Sequence, residues 1–256
     1  MLAQERFEAI AALVSRRQKL SLQELQGALG VSPATLRRDL TELETQGKIV
    51  RVHGAVVHPG YFRGEPSFAQ KRRSAAGVKR AIAKVAADLV PPKATVWVDA
   101  GTTCLEVGTL LLARRDLTIW THSIPLAARA LESGEGAKVV MVGGEVRVLS
   151  GAAVGALGLS WLEKVRADWC FLGASGLSFE GASTTEVSEA NMKSAILARC
   201  QTKVLLCDAR KWENPVALTF AAWKEFDFWV TNADFDPKAA QKIEKQGPHV
   251  VRAEIS

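Results

Sequence analysis

The sequence predicts an α/β protein in two parts, a small, mainly helical N-terminal domain and a larger domain with a mostly parallel β-sheet. Over the first sixty residues, apolar side chains recur at helical spacing, whereas from Val78 onward short apolar strands alternate with helices. Between these parts, the stretch around 58–76 is rich in Gly and Pro and has no sustained period. We therefore expect a first domain at 1–57, a linker at 58–76 and a second domain at 77–256.

Two short helices joined by a tight turn are predicted in the N-terminal domain. The first begins at Ser21, and Glu24 follows at the spacing of a capping box. Gly30 ends this helix, and Ser32 with Pro33 begins the next one, because Ser caps a helix and Pro suits its first position. This order of cap, turn and cap is typical of a helix-turn-helix.

The second of these helices carries basic and hydroxyl side chains outside its apolar face. Leu36 and Leu40 lie on one stripe, so Arg38 lies opposite it and Thr35 and Arg37 lie on its flanks. Arginine can reach guanine edges or phosphates, and a helix N-terminus favours phosphate. Taken alone, this helix is also compatible with a basic face that is only exposed to solvent.

A basic wing is predicted after Gly47, where residues 48–56 alternate like strands that turn at Gly54. The first domain is therefore expected to be a winged helix-turn-helix that binds double-stranded DNA. The candidate DNA contacts are Ser21, Ser32, Thr35, Arg37, Arg38, Arg51 and His53.

The charge is concentrated at the N-terminal end of the chain. Residues 1–90 contain 15 Lys and Arg against 8 Asp and Glu, whereas the remainder contains 18 against 19. A basic front on a near-neutral body suits contact with a polyanion. Membrane-surface binding is the competing interpretation, but these helices lack the Trp- and Phe-rich face it needs. The run Lys71-Arg72-Arg73 is interpreted as a solvated charge run, with contact to the DNA backbone as the alternative.

In the second domain, the predicted strands end in small or hydroxyl residues. Ligands of open α/β sheets bind outside the carboxyl ends of the strands, where glycine and helix N-termini admit an anion. The run Asp99-Ala100-Gly101-Thr102-Thr103 therefore predicts a cradle for phosphate or hydroxyl groups, and Lys211 after a later strand adds a positive charge. The alternative is that Gly and Thr serve only to connect a strand to the following helix. Five such strand ends in one domain disfavour this alternative.

Two parts of the chain resemble the DeoR family of bacterial transcription regulators. Residues 22–56 resemble its DNA-binding domain, and about residues 75–235 resemble its sensor domain, through Asp99-Ala100-Gly101-Thr102-Thr103, Glu189-Ala190-Asn191-Met192-Lys193 and Asp208-Ala209-Arg210-Lys211 among other runs. The resemblance implies a repressor of a carbohydrate-metabolism operon, controlled by a phosphorylated sugar or related metabolite. It also implies a sensor domain similar in fold to ribose-5-phosphate isomerase, and a homo-oligomer, dimer or tetramer.

The residues and the resemblance together give one set of candidate effector contacts. They are Asp99, Gly101, Thr102, Thr103, Ser123, Gly143, Gly144, Ser175, Glu189, Lys193 and Lys211. His122 stands where the family usually has Asn, and Ala182 interrupts a run that is usually Gly-Leu-Thr-Thr-like. The identity of the effector is therefore not carried over from the family.

The main alternative is a sugar-phosphate isomerase that carries a DNA-binding domain. Enolisation needs a general base near the carbonyl, but Gly173, Ala174 and Ser175 stand where the isomerase has acidic residues. Glu189 matches the isomerase's essential Glu in position, yet an acid also suits the start of a helix. We therefore expect a non-catalytic sensor. A structural DNA-packaging protein is disfavoured, because it would not need pocket-like strand ends.

Cysteine usage and hydropathy indicate a reduced, cytoplasmic protein. The four cysteines form no Cys-x-x-Cys pair and sit among apolar or small residues, so packing thiols are expected; they are Cys104, Cys170, Cys200 and Cys207. The four histidines are scattered, so we expect no metal site, and no cofactor is expected. No apolar run is long enough for a membrane span, and the charged N-terminus does not resemble a signal peptide.

Overall fold

The computed structural model describes residues 3–17, 19–46, 48–52, 55–57 and 65–255. The chain divides into two compact units, Met1–Pro66 and Ser67–Ser256. The division falls inside the predicted linker of residues 58–76, of which 58–64 lie outside the described residues.

The first unit has the predicted winged helix-turn-helix. Its elements are α1 (Ala3–Arg17), β1 (Lys19–Ser21), α2 (Leu22–Leu29), α3 (Pro33–Thr45), β2 (Val50–Val52) and β3 (Ala55–Val57). Strands β2 and β3 form the wing, and β1 pairs with β3 to complete an antiparallel sheet in the order β1-β3-β2. The sequence did not predict β1, because a three-residue strand is too short to show alternation.

The predicted caps define both helices of the motif. The Ser21 hydroxyl accepts a hydrogen bond from the Glu24 amide at 3.2 Å, and the Glu24 carboxylate accepts one from the Ser21 amide at 2.7 Å. Gly30 ends α2 with a φ of 63°, a left-handed conformation that glycine adopts without strain. The Ser32 hydroxyl accepts from the Thr35 amide at 3.2 Å and begins α3.

A buried ion pair joins α3 to α1. Leu36 and Leu40 are buried against Ile10, and Asp39 lies between them with 5% of its surface exposed. The Arg6 guanidinium donates two hydrogen bonds to Asp39, at 2.7 and 3.0 Å. Such a forked pair fixes the geometry of two side chains as well as neutralising the charge. Asp39 therefore belongs to the interior of the domain, although it directly follows two exposed arginines.

The second unit alternates helices and strands throughout. In chain order its elements are α4 (Phe68–Arg73), α5 (Ala76–Asp88), β4 (Thr95–Val98), α6 (Thr102–Leu111), β5 (Thr118–Thr121), α7 (Ile124–Glu132), β6 (Lys138–Met141), β7 (Glu145–Arg147), β8 (Ala152–Val154), α8 (Ala156–Leu162), β9 (Ala167–Gly173), β10 (Gly176–Ser178), β11 (Gly181–Thr184), α9 (Val187–Leu197), β12 (Cys200–Leu206), β13 (Leu218–Ala221), β14 (Phe228–Asn232), α10 (Pro237–Glu244) and β15 (His249–Ala253).

Seven of these strands form a parallel sheet in the order β15-β14-β12-β9-β4-β5-β6. The prediction of a mostly parallel sheet is confirmed. The apolar run Phe228-Trp229-Val230 predicts a last core strand, but this prediction is wrong, because β15 pairs beyond β14. This edge strand has exposed polar residues, His249 and Arg252, which weaken its apolar pattern. Two small antiparallel sheets, β7-β8 and β10-β11-β13, were also not predicted.

Helices cover both faces of the large sheet, as the apolar strands predicted. On one face, Trp97 and Leu205 pack with Met192 of α9 and Ile243 of α10. On the other face, the core contains α5, α6 and α7, represented by Ile82, Leu105 and Leu126. All four cysteines are free and buried in this unit. Within the described residues, no helix has the length and hydropathy of a membrane span.

Part of the predicted linker is helical, which corrects the sequence interpretation. Ser67 and Gln70 form a capping box that begins α4. Lys79 of α5 closes the other end, because its ammonium donates to the carbonyl oxygens of Ser74, at 2.8 Å, and Lys71. A six-residue helix is less than two turns long, which is too short to show helical periodicity in the sequence.

Candidate functional site

The first candidate site is the exposed side of α3. Arg37 and Arg38 are both exposed, and within the described residues neither guanidinium group makes an ion pair or a hydrogen bond. Two adjacent guanidinium groups on the second helix of a helix-turn-helix can donate to phosphates or to guanine edges.

The other predicted DNA contacts have local partners. The Ser21 hydroxyl is used in the cap of α2, and the Ser32 and Thr35 hydroxyls lie 2.9 Å apart at the start of α3. Arg51 joins the wing to α3, with its amide bonded to Glu44 at 3.0 Å and its guanidinium to Thr41 at 3.2 Å. His53 lies outside the described residues.

The second candidate site lies at the carboxyl edge of the large sheet. From β4 the chain continues to β5 and β6 on one side, then crosses to β9 on the other side, so the topological switch point lies between β4 and β9. Ligands of open α/β sheets bind in the crevice at such a point. Gly101 and Gly173 meet there, and a Cβ atom on Gly101 would lie 3.7 Å from the Cα atom of Gly173.

Asp99 organises the side chains at this switch point. Its carboxylate accepts hydrogen bonds from Lys193, from the Gly173 amide at 2.9 Å and from His122 Nε2 at 3.3 Å. Burial acts to raise the pKa of Asp99, but the Lys193 ammonium and the His122 ring outweigh it and hold that pKa well below its usual range. Asp99 is deeply buried, with 1% of its surface exposed.

Lys193 completes this buried cluster from α9. Its ammonium also donates to the Gly173 carbonyl oxygen at 3.0 Å. Burial acts to lower the pKa of Lys193, but the charges of Asp99 and Glu189 outweigh it and raise that pKa. Lys193 thus joins α9 to the ends of β4 and β9.

A half-buried cation and a helix N-terminus lie beside this cluster. Thr102 and Thr103 are the first two residues of α6, and Gly101 has no side chain with which to cap them. The first amides of α6 are therefore available to an anion. Lys211 is half-buried at the end of β12, where its ammonium donates to the Ala174 carbonyl oxygen at 2.5 Å.

Glu189 is buried and paired. Its carboxylate accepts from Arg147 at 3.0 Å and from the Thr184 hydroxyl at 3.1 Å. The residue also occupies the first turn of α9, whose N-cap is Glu186. The interpretation of Glu189 as an acid at a helix start is consistent with this position.

The remaining predicted residues occupy three other strand ends. Ser123 is buried and caps α7 by accepting from the Leu126 amide at 3.3 Å. Ser175 is half-buried, and its amide donates to the Ser183 carbonyl oxygen at 2.8 Å. Gly143 and Gly144 follow the edge strand β6, and Gly144 lies so close to the Val154 carbonyl that no side chain fits. Ser123 and Gly144 thus have structural uses of their own.

Sequence reasoning missed two residues of the second site and a buried lysine near it. His122 was noted for its departure from the family but not placed in the site, and Arg147 and Lys79 were not considered. Arg147 ends the short strand β7, and its partner Glu189 in α9 is 42 residues away in the sequence, so no local pattern signals the pair. Lys79 occupies a buried position of α5, where its place in the helical period could have identified a lysine among core residues.

Comparisons with known proteins match both units. Residues 6–59 match the DeoR-like helix-turn-helix domain, and residues 74–233 match the DeoR C terminal sensor domain. The HTH-type transcriptional regulator YgbI of Escherichia coli (strain K12) is 33% identical over 246 residues, which are 96% of each chain. The glycerol-3-phosphate regulon repressor of the same strain is 29% identical and covers 90% of each chain.

Among solved structures, ribose 5-phosphate isomerase A of Methanocaldococcus jannaschii is 16% identical and aligns with a TM-score of 0.40. The alignment covers 54% of this chain and 55% of the isomerase, and a likeness of this degree assigns no activity. The two domain matches account for most of the chain and agree with the helix-turn-helix and α/β units described above. The chain belongs to the DeoR family of DNA-binding transcriptional regulators.

Proposed function

We propose that this DeoR-family regulator acts in the cytoplasm as a repressor of a carbohydrate-metabolism operon. In this proposal a phosphorylated sugar or related metabolite binds at the switch point and controls the affinity for operator DNA. The observation that carries the proposal is the juxtaposition of an uncapped α6 N-terminus with Lys211, which follows β12 and whose charge acts on Cys104 in the first turn of α6. Backbone amides and an ammonium group suit a phosphate.

Two further observations support this function over the isomerase. A relative that covers 90% of this chain is a glycerol-3-phosphate regulon repressor, whose name includes a phosphorylated metabolite. The buried carboxylates near the switch point, Asp99 and Glu189, are each held in an ion pair. A carboxylate with a fixed cationic partner is a poor general base, because proton uptake would break the pair.

The first test replaces residues that contact the phosphate in this proposal. We expect Thr102→Ala and Lys211→Ala to keep operator affinity in the absence of effector, but to lose the effector's ability to change that affinity. An effector acts only through a difference in its affinity for two states, and these variants remove that affinity. The operator is the duplex that the full chain selects from random DNA, and a thermal-shift screen of phosphorylated sugars supplies the effector.

Lys224→Ala is the matched control for Lys211→Ala. Lys224 is exposed on a short turn, and its replacement removes the same positive charge. This variant should respond to effector as the wild type does. A normal response from both Thr102→Ala and Lys211→Ala would place the effector elsewhere. Loss of DNA binding without effector would make these residues structural.

We further propose that the chain forms a homo-oligomer through the surface of α8 and the segment before it. Large apolar side chains are exposed there, with exposed fractions of 84% for Val148, 73% for Leu157 and 55% for Trp161. Leu157 and Trp161 are four residues apart on α8 and so share one face of it, and exposed apolar groups that lie together commonly mark contact surfaces. In this proposal a second copy of the chain covers the surface, because helix-turn-helix domains bind paired half-sites as dimers.

The oligomer is tested by placing a charge in this surface. We expect the wild type to have a mass in light scattering of at least twice 27.6 kDa, and Leu157→Glu to shift it towards the monomer. Burying a carboxylate in an apolar interface is costly, so association should weaken. Leu131→Glu is the control, because Leu131 is 88% exposed on α7, on the opposite face of the sheet. Dissociation by Leu131→Glu alone would assign the interface to α7 instead.

A further inference from the structure

Lys79 is a buried cation without a carboxylate partner. It has 4% of its surface exposed, and among the described residues it makes no ion pair. Its ammonium is held by carbonyl oxygens alone, those of Ser74 and Lys71 at the end of α4. Buried lysines are rare unless they are paired with an anion, so this arrangement is unusual.

Other cations surround this position. The Arg210 guanidinium lies 3.4 Å from the Ser74 hydroxyl, so Arg210 and Lys79 contact the same residue of the α4–α5 corner. Arg210 precedes Lys211 directly in the turn that follows β12. Burial, with the positive charge of Lys211, lowers the pKa of Lys79 to about 8.

The anionic groups near Lys79 do not balance these charges. Asp208 and Glu106 favour the charged form of Lys79, but Asp208 is already paired with Arg210 at 2.9 Å. The groups near the Lys79 ammonium are thus carbonyl oxygens at the end of α4, Lys211 and Arg210 after β12, and Glu106 of α6. A site with three cations and few free carboxylates is suited to an anion.

We infer that Lys79 binds the phosphate of the effector together with Lys211, and that this contact draws its ammonium away from the end of α4. The inference rests on the proposed function and adds both a ligand and a route for the signal. Lys79 closes α4, which is the first helix after residues 58–66. A phosphate oxygen is a stronger acceptor for an ammonium than a carbonyl oxygen, so binding weakens the closure of α4. The effector site and the segment that leads to the DNA-binding domain then share one side chain.

The test measures binding of inorganic phosphate and of glycerol 3-phosphate to the full chain by thermal shift, at constant ionic strength. We expect Lys79→Met to weaken the affinity by about 10- to 100-fold, the usual effect of losing a charged hydrogen bond. Lys84→Met is the matched control, because Lys84 is exposed on the same helix. It should bind as the wild type does.

The pH profile separates ligation from a purely structural role. Lys79 loses its proton as the pH rises through about 8, so wild-type affinity should fall above that pH, although phosphate is then fully charged. In Lys79→Met this fall should be absent. If the variant binds with wild-type affinity and keeps the wild-type profile, the inference is wrong and the proposed function stands. If the wild type binds neither compound nor any other phosphorylated sugar, both are wrong.

Discussion

Replacing Asp99 by Ala is expected to lower the free energy of unfolding by about 3–5 kcal/mol, the usual cost of removing one partner from a buried ion pair. The carboxylate is 1% exposed and accepts from Lys193, His122 and the Gly173 amide. Its loss leaves the Lys193 ammonium buried without a counter-charge. Urea denaturation, followed by circular dichroism, measures the change.

The double variant Asp99→Leu with Lys193→Met distinguishes an unpaired charge from lost packing. Replacing both members of a buried pair by apolar residues is often neutral, so the double variant should recover most of the lost stability. Asp116→Ala is the surface control, because the pair of Asp116 with Arg114 is partly exposed and should matter little. If Asp99→Ala lowers the free energy of unfolding only slightly, the pair of Asp99 with Lys193 does not stabilise the fold as predicted.

The same ion pair predicts a response to acid. The pKa of Asp99 is lower in the folded protein than in the unfolded chain, so its contribution is complete above about pH 4. That contribution is lost as the pH falls through the folded value. The stability of the wild type should therefore fall more steeply below pH 4 than that of the double variant.

The elements that the sequence predicted best are those with strong local signals. Ser21, Glu24, Gly30 and Ser32 determine caps that depend on a few neighbouring residues, and the structure has these caps as predicted. The apolar strands of the parallel sheet are buried on both faces, so their composition identified them despite the absence of alternation.

Elements that depend on distant partners were harder to predict. Strand β1 exists because it pairs with β3, thirty-odd residues on, and three residues show no period of their own. The order of strands that brings Gly101 beside Gly173 is also non-local. The sequence placed Asp99 and Lys193 in one site through family resemblance, but not the contact between them. The role of Lys79 depends on a corner between two helices that looked like a linker.

Replacing both Arg37 and Arg38 by Ala should produce the largest loss of DNA binding. Each arginine that contacts a base contributes about 1–3 kcal/mol, so removing both should cost about 2–6 kcal/mol, which is roughly 30-fold to more than 10,000-fold in affinity. Both side chains are exposed on α3, and the core residues Leu36 and Leu40 remain in place. The thermal midpoint should therefore change little. Affinity for the selected duplex is measured by fluorescence anisotropy at several salt concentrations.

The salt dependence of these variants separates base contacts from phosphate contacts. Removing an arginine that contacts phosphate lowers affinity for all sequences and reduces the salt slope by about one, whereas removing a base-contacting arginine changes the preference between sequences. Arg115→Ala is the charge-matched control, because Arg115 is exposed in the second unit and paired with Glu135. It should bind the selected duplex as the wild type does. If the Arg37 and Arg38 variant, still folded, binds with unchanged affinity and salt slope, α3 is not the recognition helix.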